Sequence, residues 1–269
     1  MRLGRDRPRI TSQSPETSLT QKAGLQTNLR IEAFEEVPLN QAPDFAIEHG
    51  AVLLREFFAP NEVDALRQLV ERTLTELDVN STWGANPFES QAWLHLQRSI
   101  LPSAELSALR NHRRVTNLFE SIFGQSVMVE RGDVCRVVWP NEPPTRPHQD
   151  HWYVGGSTQV WTLWFALSDC PLQAGPLAVI LDGQNKQLHE HLGEGVGSQG
   201  CMVANDVTWT ASDMRQGDAI AFHCMTVHRA LLNRTQGAPR LSVDCRYQPE
   251  DEPVHTRRID GSNARESSS

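Results

Sequence analysis

Arg240-Leu241-Ser242-Val243-Asp244-Cys245-Arg246-Tyr247 alternates polar and apolar side chains along its whole length. A period of two predicts a half-buried strand, with Leu241, Val243, Cys245 and Tyr247 on one face and Arg240, Ser242, Asp244 and Arg246 on the other. Working outward, Gly217-Asp218 reads as a turn and Ala219-Ile220-Ala221-Phe222 as a buried strand. His228 then opens a run through Asn233, Arg234 and Thr235 to Pro239-Arg240. Further back, a Pro-rich loop from Trp139 to Pro147 leads into Thr145-Arg146-Pro147-His148-Gln149-Asp150-His151-Trp152-Tyr153. In an extended strand His148 and Asp150 point to one face and Gln149 points away. The chain is therefore mainly β from about Val127 to Tyr247, with the sheet ending near Pro249.

His148, Asp150 and His228 have the chemistry of a facial triad: two imidazoles and a carboxylate on one face of a ferrous ion, the other face open. The triplet alone is weak, because ten histidines and 33 acidic residues in 269 leave roughly one His-x-Asp/Glu to chance. Its companions make it specific. An arginine in a strand is commonly a surface residue, but Arg240 follows closely on His228 and shares a face with Ser242. A planar guanidinium grips a carboxylate through two parallel hydrogen bonds, and a neighbouring hydroxyl donates a third. This set suits 2-oxoglutarate, whose decarboxylation by O2 to succinate and carbon dioxide drives removal of a substrate hydrogen. Hydroxylation is the default outcome; desaturation, cyclisation and epimerisation use the same site. Arg136 and Arg146 flank the metal strand and suit the cosubstrate or an anionic substrate, or equally exposed salt bridges. By parity Trp152 borders the substrate chamber or fills the core, with Tyr153 beside it. His189-Glu190-His191 reads as a solvated loop, His223 as a residue of the opposite face, and His151 as no ligand.

From Gly50 to Tyr247 the chain resembles the phytanoyl-CoA hydroxylase-like family of iron(II)/2-oxoglutarate dioxygenases. The resemblance rests on Gly50-Ala51-Val52-Leu53-Leu54-Arg55-Glu56-Phe57-Phe58, on His148-Gln149-Asp150, and on the Gly-Asp…Phe-His…His…Asn-x-Thr…Arg-x-Ser…Arg-Tyr run. It implies a double-stranded β-helix (a cupin-like jelly roll) with flanking helices. It also implies Fe(2+) on His148, Asp150 and His228, 2-oxoglutarate on Arg240, O2 as co-reactant and ascorbate as a stimulant. The family's pocket-lining tryptophan is most like Trp164, for which a core position is the other reading. Two features depart from the family: Leu181-Asp182-Gly183-Gln184-Asn185 replaces its Pro-Gly-Ser-His turn, and Ala230 stands where a small hydroxyl residue is frequent. Asp150 marks an oxygenase rather than a halogenase, since halogenating relatives leave that position vacant for chloride.

Composition fits a soluble enzyme acting on a small molecule. A net charge of −8 argues against sequence-independent nucleic-acid binding. Mean hydropathy is −0.45, and no apolar run approaches the roughly 18 residues of a membrane span. Five scattered cysteines without Cys-x-x-Cys spacing suit a reducing cytoplasm. Residues 1–30 read as a floppy tail, 31–250 as one domain with N-terminal helices, and 251–269 as a second tail. Helices are expected from Pro60 to about Leu77 and from Ser103 to Phe123, the second interrupted near His112. The basic group Arg110, His112, Arg113 and Arg114 reads as a solvated helix face rather than a nucleotide dock. A free small metabolite or natural-product intermediate is thus expected ahead of an acyl-CoA ester. A zinc hydrolase lacks an evident general base and gives Arg240 no role, and a metal-dead binding module has no need of all three ligands.

Overall fold

A computed structural model describes residues 29–79, 82–83, 90–181, 187–192, 200–237 and 239–254. The expected tails lie almost wholly outside these residues, as does most of the Leu181–Asn185 turn. Two sheets carry the fold. The larger contains β2 (Ala51–Leu54), β9 (Ala219–His223), β4 (Trp161–Ala166), β11 (Arg240–Pro249) and β3 (Val127–Val138), hydrogen-bonded in that order. The smaller contains β1 (Arg30–Glu32), β8 (Thr208–Thr210), β5 (Leu177–Val179) and β10 (His228–Ala230). A two-stranded ribbon, β6 (His191–Leu192) with β7 (Gly200–Cys201), stands apart. The main sheets pack face to face as a double-stranded β-helix. Ala51, Leu53, Trp164, Ala166, Ile220 and Phe222 from one side meet Leu177 and Val179 from the other in a shared buried cluster.

The other face of the large sheet is covered by helices: α1 (Ala42–His49), α2 (Pro60–Glu76), α3 (Gln91–Ile100), α4 (Ala104–Arg110) and α5 (Arg113–Phe123). Their apolar stripes, including Val63, Leu66, Leu96, Ile100, Leu106 and Phe119, bury with Leu163, Phe165, Leu241, Val243, Cys245 and Tyr247. At the start of α2, Pro60 begins the helix and Glu62 Oε2 accepts the Ala59 N–H at 2.6 Å. The break expected near His112 is a cap: His112 Nδ1 accepts the Arg114 N–H at 3.1 Å, so α5 starts afresh there. Helices α1 and α3, and strands β1 and β2 upstream of Val127, went unread because each is short. The Gly217-Asp218 turn is confirmed: Gly217 has φ +88, and a Cβ there would sit 2.1 Å from Phe58 O.

One expectation needs correcting. Strand β11 is buried on both faces, not half-buried. Its apolar face meets the helices, while Arg240, Ser242, Asp244 and Arg246 face the space between the sheets. Alternation reports two chemically different faces; it reports solvent only when one face is bare. Strand pairing then fixes the neighbours of that inward row. Ser242 stands opposite Arg136 and Ala166, Asp244 opposite Trp164, and Arg246 opposite Thr162.

Candidate active site

Between the sheets, His148 and His228 form an antiparallel bridge, each N–H donating to the other's carbonyl at 2.9 Å. That pairing sets their rings side by side, with centroids 4.1 Å apart. Asp150 arrives differently from the strand-parity expectation. The chain is extended only to Gln149 and turns at Asp150 into a short helix, α6 (Asp150–Val154), which swings the carboxylate toward both rings. Ligating atoms of His148, Asp150 and His228 lie within 4.8 Å of one another, and all three residues are buried. His148 Nδ1 donates to Arg146 O at 2.8 Å and His228 Nδ1 to Thr226 O at 3.0 Å. Both Nε2 lone pairs are thereby turned to Asp150 Oδ1, at 3.8 and 3.5 Å.

The protonation states suit a cation. Burial, and then the neighbouring His228, hold His148 well below the usual imidazole range, so it is a neutral donor. Burial alone would raise Asp150, but the Arg246 guanidinium and the two histidines outweigh it and keep the carboxyl well below its ordinary value. Its outer oxygen, Oδ2, accepts from Thr162 Oγ1 at 2.7 Å and from Arg246 Nη2 at 3.1 Å. Neither Thr162 nor Arg246 was singled out in this role from sequence. The parity that placed Arg240 and Ser242 on one face extends to Arg246 and was the available signal.

Deeper along the inward row, the arginines differ. Arg136 Nε pairs with Asp244 Oδ2 at 2.6 Å, and Arg246 pairs with Asp150. Arg240 forms no ion pair among the described residues: it reaches Gly175 O and lies 5.9 Å from the Trp164 ring centroid. Burial lowers its pKa, the mark of a cation short of a counter-charge. Arg240 Nε, Ser242 Oγ and Trp164 Nε1 are all buried without a hydrogen-bond partner. Buried polar atoms are normally satisfied; on this wall Asp244 Oδ1 and Arg246 Nε are orphaned too, and the donors of Arg240, Ser242 and Trp164 are the ones suited to an anion. Trp164 faces inward and packs in the buried cluster between the sheets, a position compatible with both of its readings. Arg136 is committed to Asp244, beside Ser242.

The remaining candidates divide. Tyr153 sets its ring edge against His148 at 5.4 Å, and Trp152 stacks on His191 at 4.8 Å; both are half-buried. Arg146 is exposed, its carbonyl rather than its guanidinium serving the site. His191, expected in a solvated loop, is instead buried: its Nε2 accepts the Gln149 N–H at 3.1 Å. Gln149, pointing away from the histidines, ties the triplet to Gln187, His189 and Met225 through its amide. His223 faces the helices, edge-on to Trp161, and lines a cavity of about 160 Å³ there.

Two histidines and a carboxylate held inside a double-stranded β-helix define a jelly-roll protein with a metal-type donor set. Residues 47–242 match the phytanoyl-CoA dioxygenase family, and the chain belongs to that family. Among curated relatives, a 1-deoxypentalenic acid 11-beta-hydroxylase from Streptomyces arenae is 28% identical over 159 residues. That match covers 52% of this chain and 56% of the relative, so only about half of either protein is compared. Among solved structures, the epimerase SnoN, in complex with Fe3+, alpha ketoglutarate and nogalamycin RO, has TM-score 0.63 at 20% identity over 86% of this chain and 91% of its own. The alpha ketoglutarate-dependent carbocyclase SnoK from nogalamycin biosynthesis has TM-score 0.62 at 23% identity over 84% and 92%. At these identities the two structures establish the fold.

Proposed function

We propose that the protein is an iron(II)/2-oxoglutarate-dependent dioxygenase that hydroxylates a C–H bond of a small metabolite. The observation that carries this is the meeting, in one lumen, of the His148–Asp150–His228 donor set and the unsatisfied Arg240, Ser242 and Trp164 atoms. In this reading His148, Asp150 and His228 hold the ion, and Arg240 with Ser242 holds the far carboxylate of the cosubstrate. Trp164 lines the cosubstrate and offers its indole N–H. Arg136 acts one step removed, neutralising Asp244 so that a dianion meets no bare carboxylate. The bound ion, with 2-oxoglutarate and O2, would supply the oxidising power that removes the substrate hydrogen. The chain positions that bond, holds both histidines as Nε2 donors and keeps water out of the buried donor set.

Substrate class follows from where the positive charge is spent. Arg110 Nη1 pairs with Asp133 at 2.8 Å, Arg114 Nη1 with Glu62 at 2.7 Å, and His112 stands 3.3 Å from the same Glu62. Among the described residues between Gly50 and Tyr247, these members of the basic group are thus already paired rather than ready for the phosphates of CoA, and the named relative is a hydroxylase of 1-deoxypentalenic acid. Trp152 and Tyr153 beside His148 suit an apolar substrate wall, with Arg146 near it. No described helix is long and apolar enough to cross a membrane. Five buried free thiols favour a reducing compartment, the cytoplasm. The β3–β11 body with its helices is one domain in this reading.

An anaerobic titration of the metal-free protein with ferrous ion and then 2-oxoglutarate tests the assignment. A metal-to-keto-acid charge-transfer band in the visible region is expected. Tight metal binding with no such band would leave a metal-binding jelly roll without this chemistry.

A further inference from the structure

We propose that Arg246 and Thr162 are the positioning residues of Asp150, holding its outer oxygen so that Oδ1 alone is presented to the metal. The inference rests on reading Asp150 as a ligand and goes beyond it, because neither residue touches the ion's side of the site. The two donors converge by construction. Thr162 on β4 and Arg246 on β11 are directly opposed residues of an antiparallel pair, so their side chains rise together from one face. Both reach Oδ2, at 2.7 and 3.1 Å, while Oδ1 faces the two Nε2 atoms. A carboxylate gripped at one oxygen by a hydroxyl and a guanidinium cannot easily rotate to offer both oxygens. An ion held through Oδ1 alone would keep room for the cosubstrate and dioxygen.

Arg246 is itself held from behind. Strand β3 has a register irregularity opposite Asp244–Arg246, and Gly132 in it has φ +119. This bulge turns the Gly132 carbonyl inward, where it accepts from Arg246 Nη1. Of the acids around it, Asp133 pairs with Arg110, Asp244 with Arg136, and Asp150 with Arg246 itself, while Glu130, opposite Arg246 on β3, is buried as well. Arg246 is thus the charge partner of the ligand, as Arg240 is the unpaired cation of the cosubstrate wall. The row Arg240-x-Ser242-x-Asp244-x-Arg246 divides its work, its far end serving the keto acid and its near end serving the ligand.

The test is calorimetric titration of metal-free protein with Mn2+ and Co2+, without cosubstrate, for wild type, Thr162→Val, Arg246→Lys and Arg246→Met. Thr162→Val keeps the shape and removes only the donor. It and Arg246→Met should each weaken metal binding by about 10- to 100-fold, the usual effect of losing a partner behind a ligand. Arg246→Lys should lose less. The Co2+ absorption spectrum should shift in the variants while apo thermal unfolding of Thr162→Val stays at the wild-type temperature, which a merely structural role would not produce. In Asp150→Ala, formate should restore part of the metal affinity, and the rescue should vanish when Arg246→Met is added. Variants that bind both ions as tightly as wild type, with unchanged Co2+ spectra, overturn the proposal and leave the metal site standing. Failure of the wild type to bind either ion overturns the underlying reading, and this inference with it.

Discussion

The two faces of β11 are equally buried and chemically opposite. On one, Leu241, Val243, Cys245 and Tyr247 meet α5 and the other helices in a dry core. On the other, Arg240, Ser242, Asp244 and Arg246 stand in a buried polar row, costly to hold away from water unless it is paired. The first face is held by area and packing, and its members are interchangeable in kind with any apolar residue of similar volume. The second is held by specific pairing at Asp244 and Arg246, while Arg240 forms no ion pair among the described residues and Ser242 Oγ no hydrogen bond. A single strand therefore carries the stability of the fold on its odd residues and the chemistry of the site on its even ones.

Variants that separate the two faces sharpen this comparison. The largest effect is expected at the donor set the polar face serves. His148→Ala, Asp150→Ala or His228→Ala should abolish iron-dependent succinate formation while the far-ultraviolet circular dichroism stays that of wild type. Near-normal turnover in any one would remove that residue from the donor set.

Next comes Arg240→Met. Losing one partner of a buried, hydrogen-bonded charge pair costs roughly 2–5 kcal/mol. At about 1.4 kcal/mol per tenfold, the 2-oxoglutarate dissociation constant should rise on the order of 30-fold to several thousand-fold. The metal-free fold should not lose stability, because an unmatched buried cation gives way to an apolar side chain. If affinity holds, the carboxylate sits elsewhere, with Arg136 the next candidate.

The apolar face should behave in reverse. Leu241→Ala, in the helix-facing core, should cost about 2–5 kcal/mol in denaturant unfolding. Binding of 2-oxoglutarate by the molecules that remain folded should not change. A large loss of cosubstrate affinity with little loss of stability would erase the distinction between the faces.

The smallest effect concerns the thiols. Burial pushes Cys135 and Cys224 up to about 12 and Cys170 and Cys201 to about 11, with Cys245 raised as well. A raised pKa leaves the neutral thiol at pH 8, so iodoacetamide should modify essentially none of the five in the native protein. All five should react in denaturant; rapid native labelling of any would place it at an open surface.

Much of this site was legible because its signals are local. The spacing of His148 and Asp150, the parity of Arg240 with Ser242, and the stripe of α2 all lie within a few residues. Two readings failed at the point where locality ends. Asp150 reaches its neighbours from the first turn of a helix, and nothing in Gln149-Asp150-His151 announces that turn, because the competing strand pattern continues through Trp152. His191 sat in a polar stretch that resembles a surface loop. Its burial depends on Gln149 and Trp152, some 40 residues away, closing over it.

The sequence by itself determined the alternation of β11, the donor types of the triad and the arginine beside the serine, since each follows from side-chain chemistry at fixed short spacing. Only the tertiary structure decided which face of β11 turns inward. It also decided that Thr162 and Arg246 meet on one oxygen of Asp150 and that, among the described residues, Arg240 has no acid partner while Arg136 and Arg246 do. These are outcomes of strand register between segments separated by about 65 to 110 residues, and pairing across that distance is set by which faces can be buried together, a property of the whole fold.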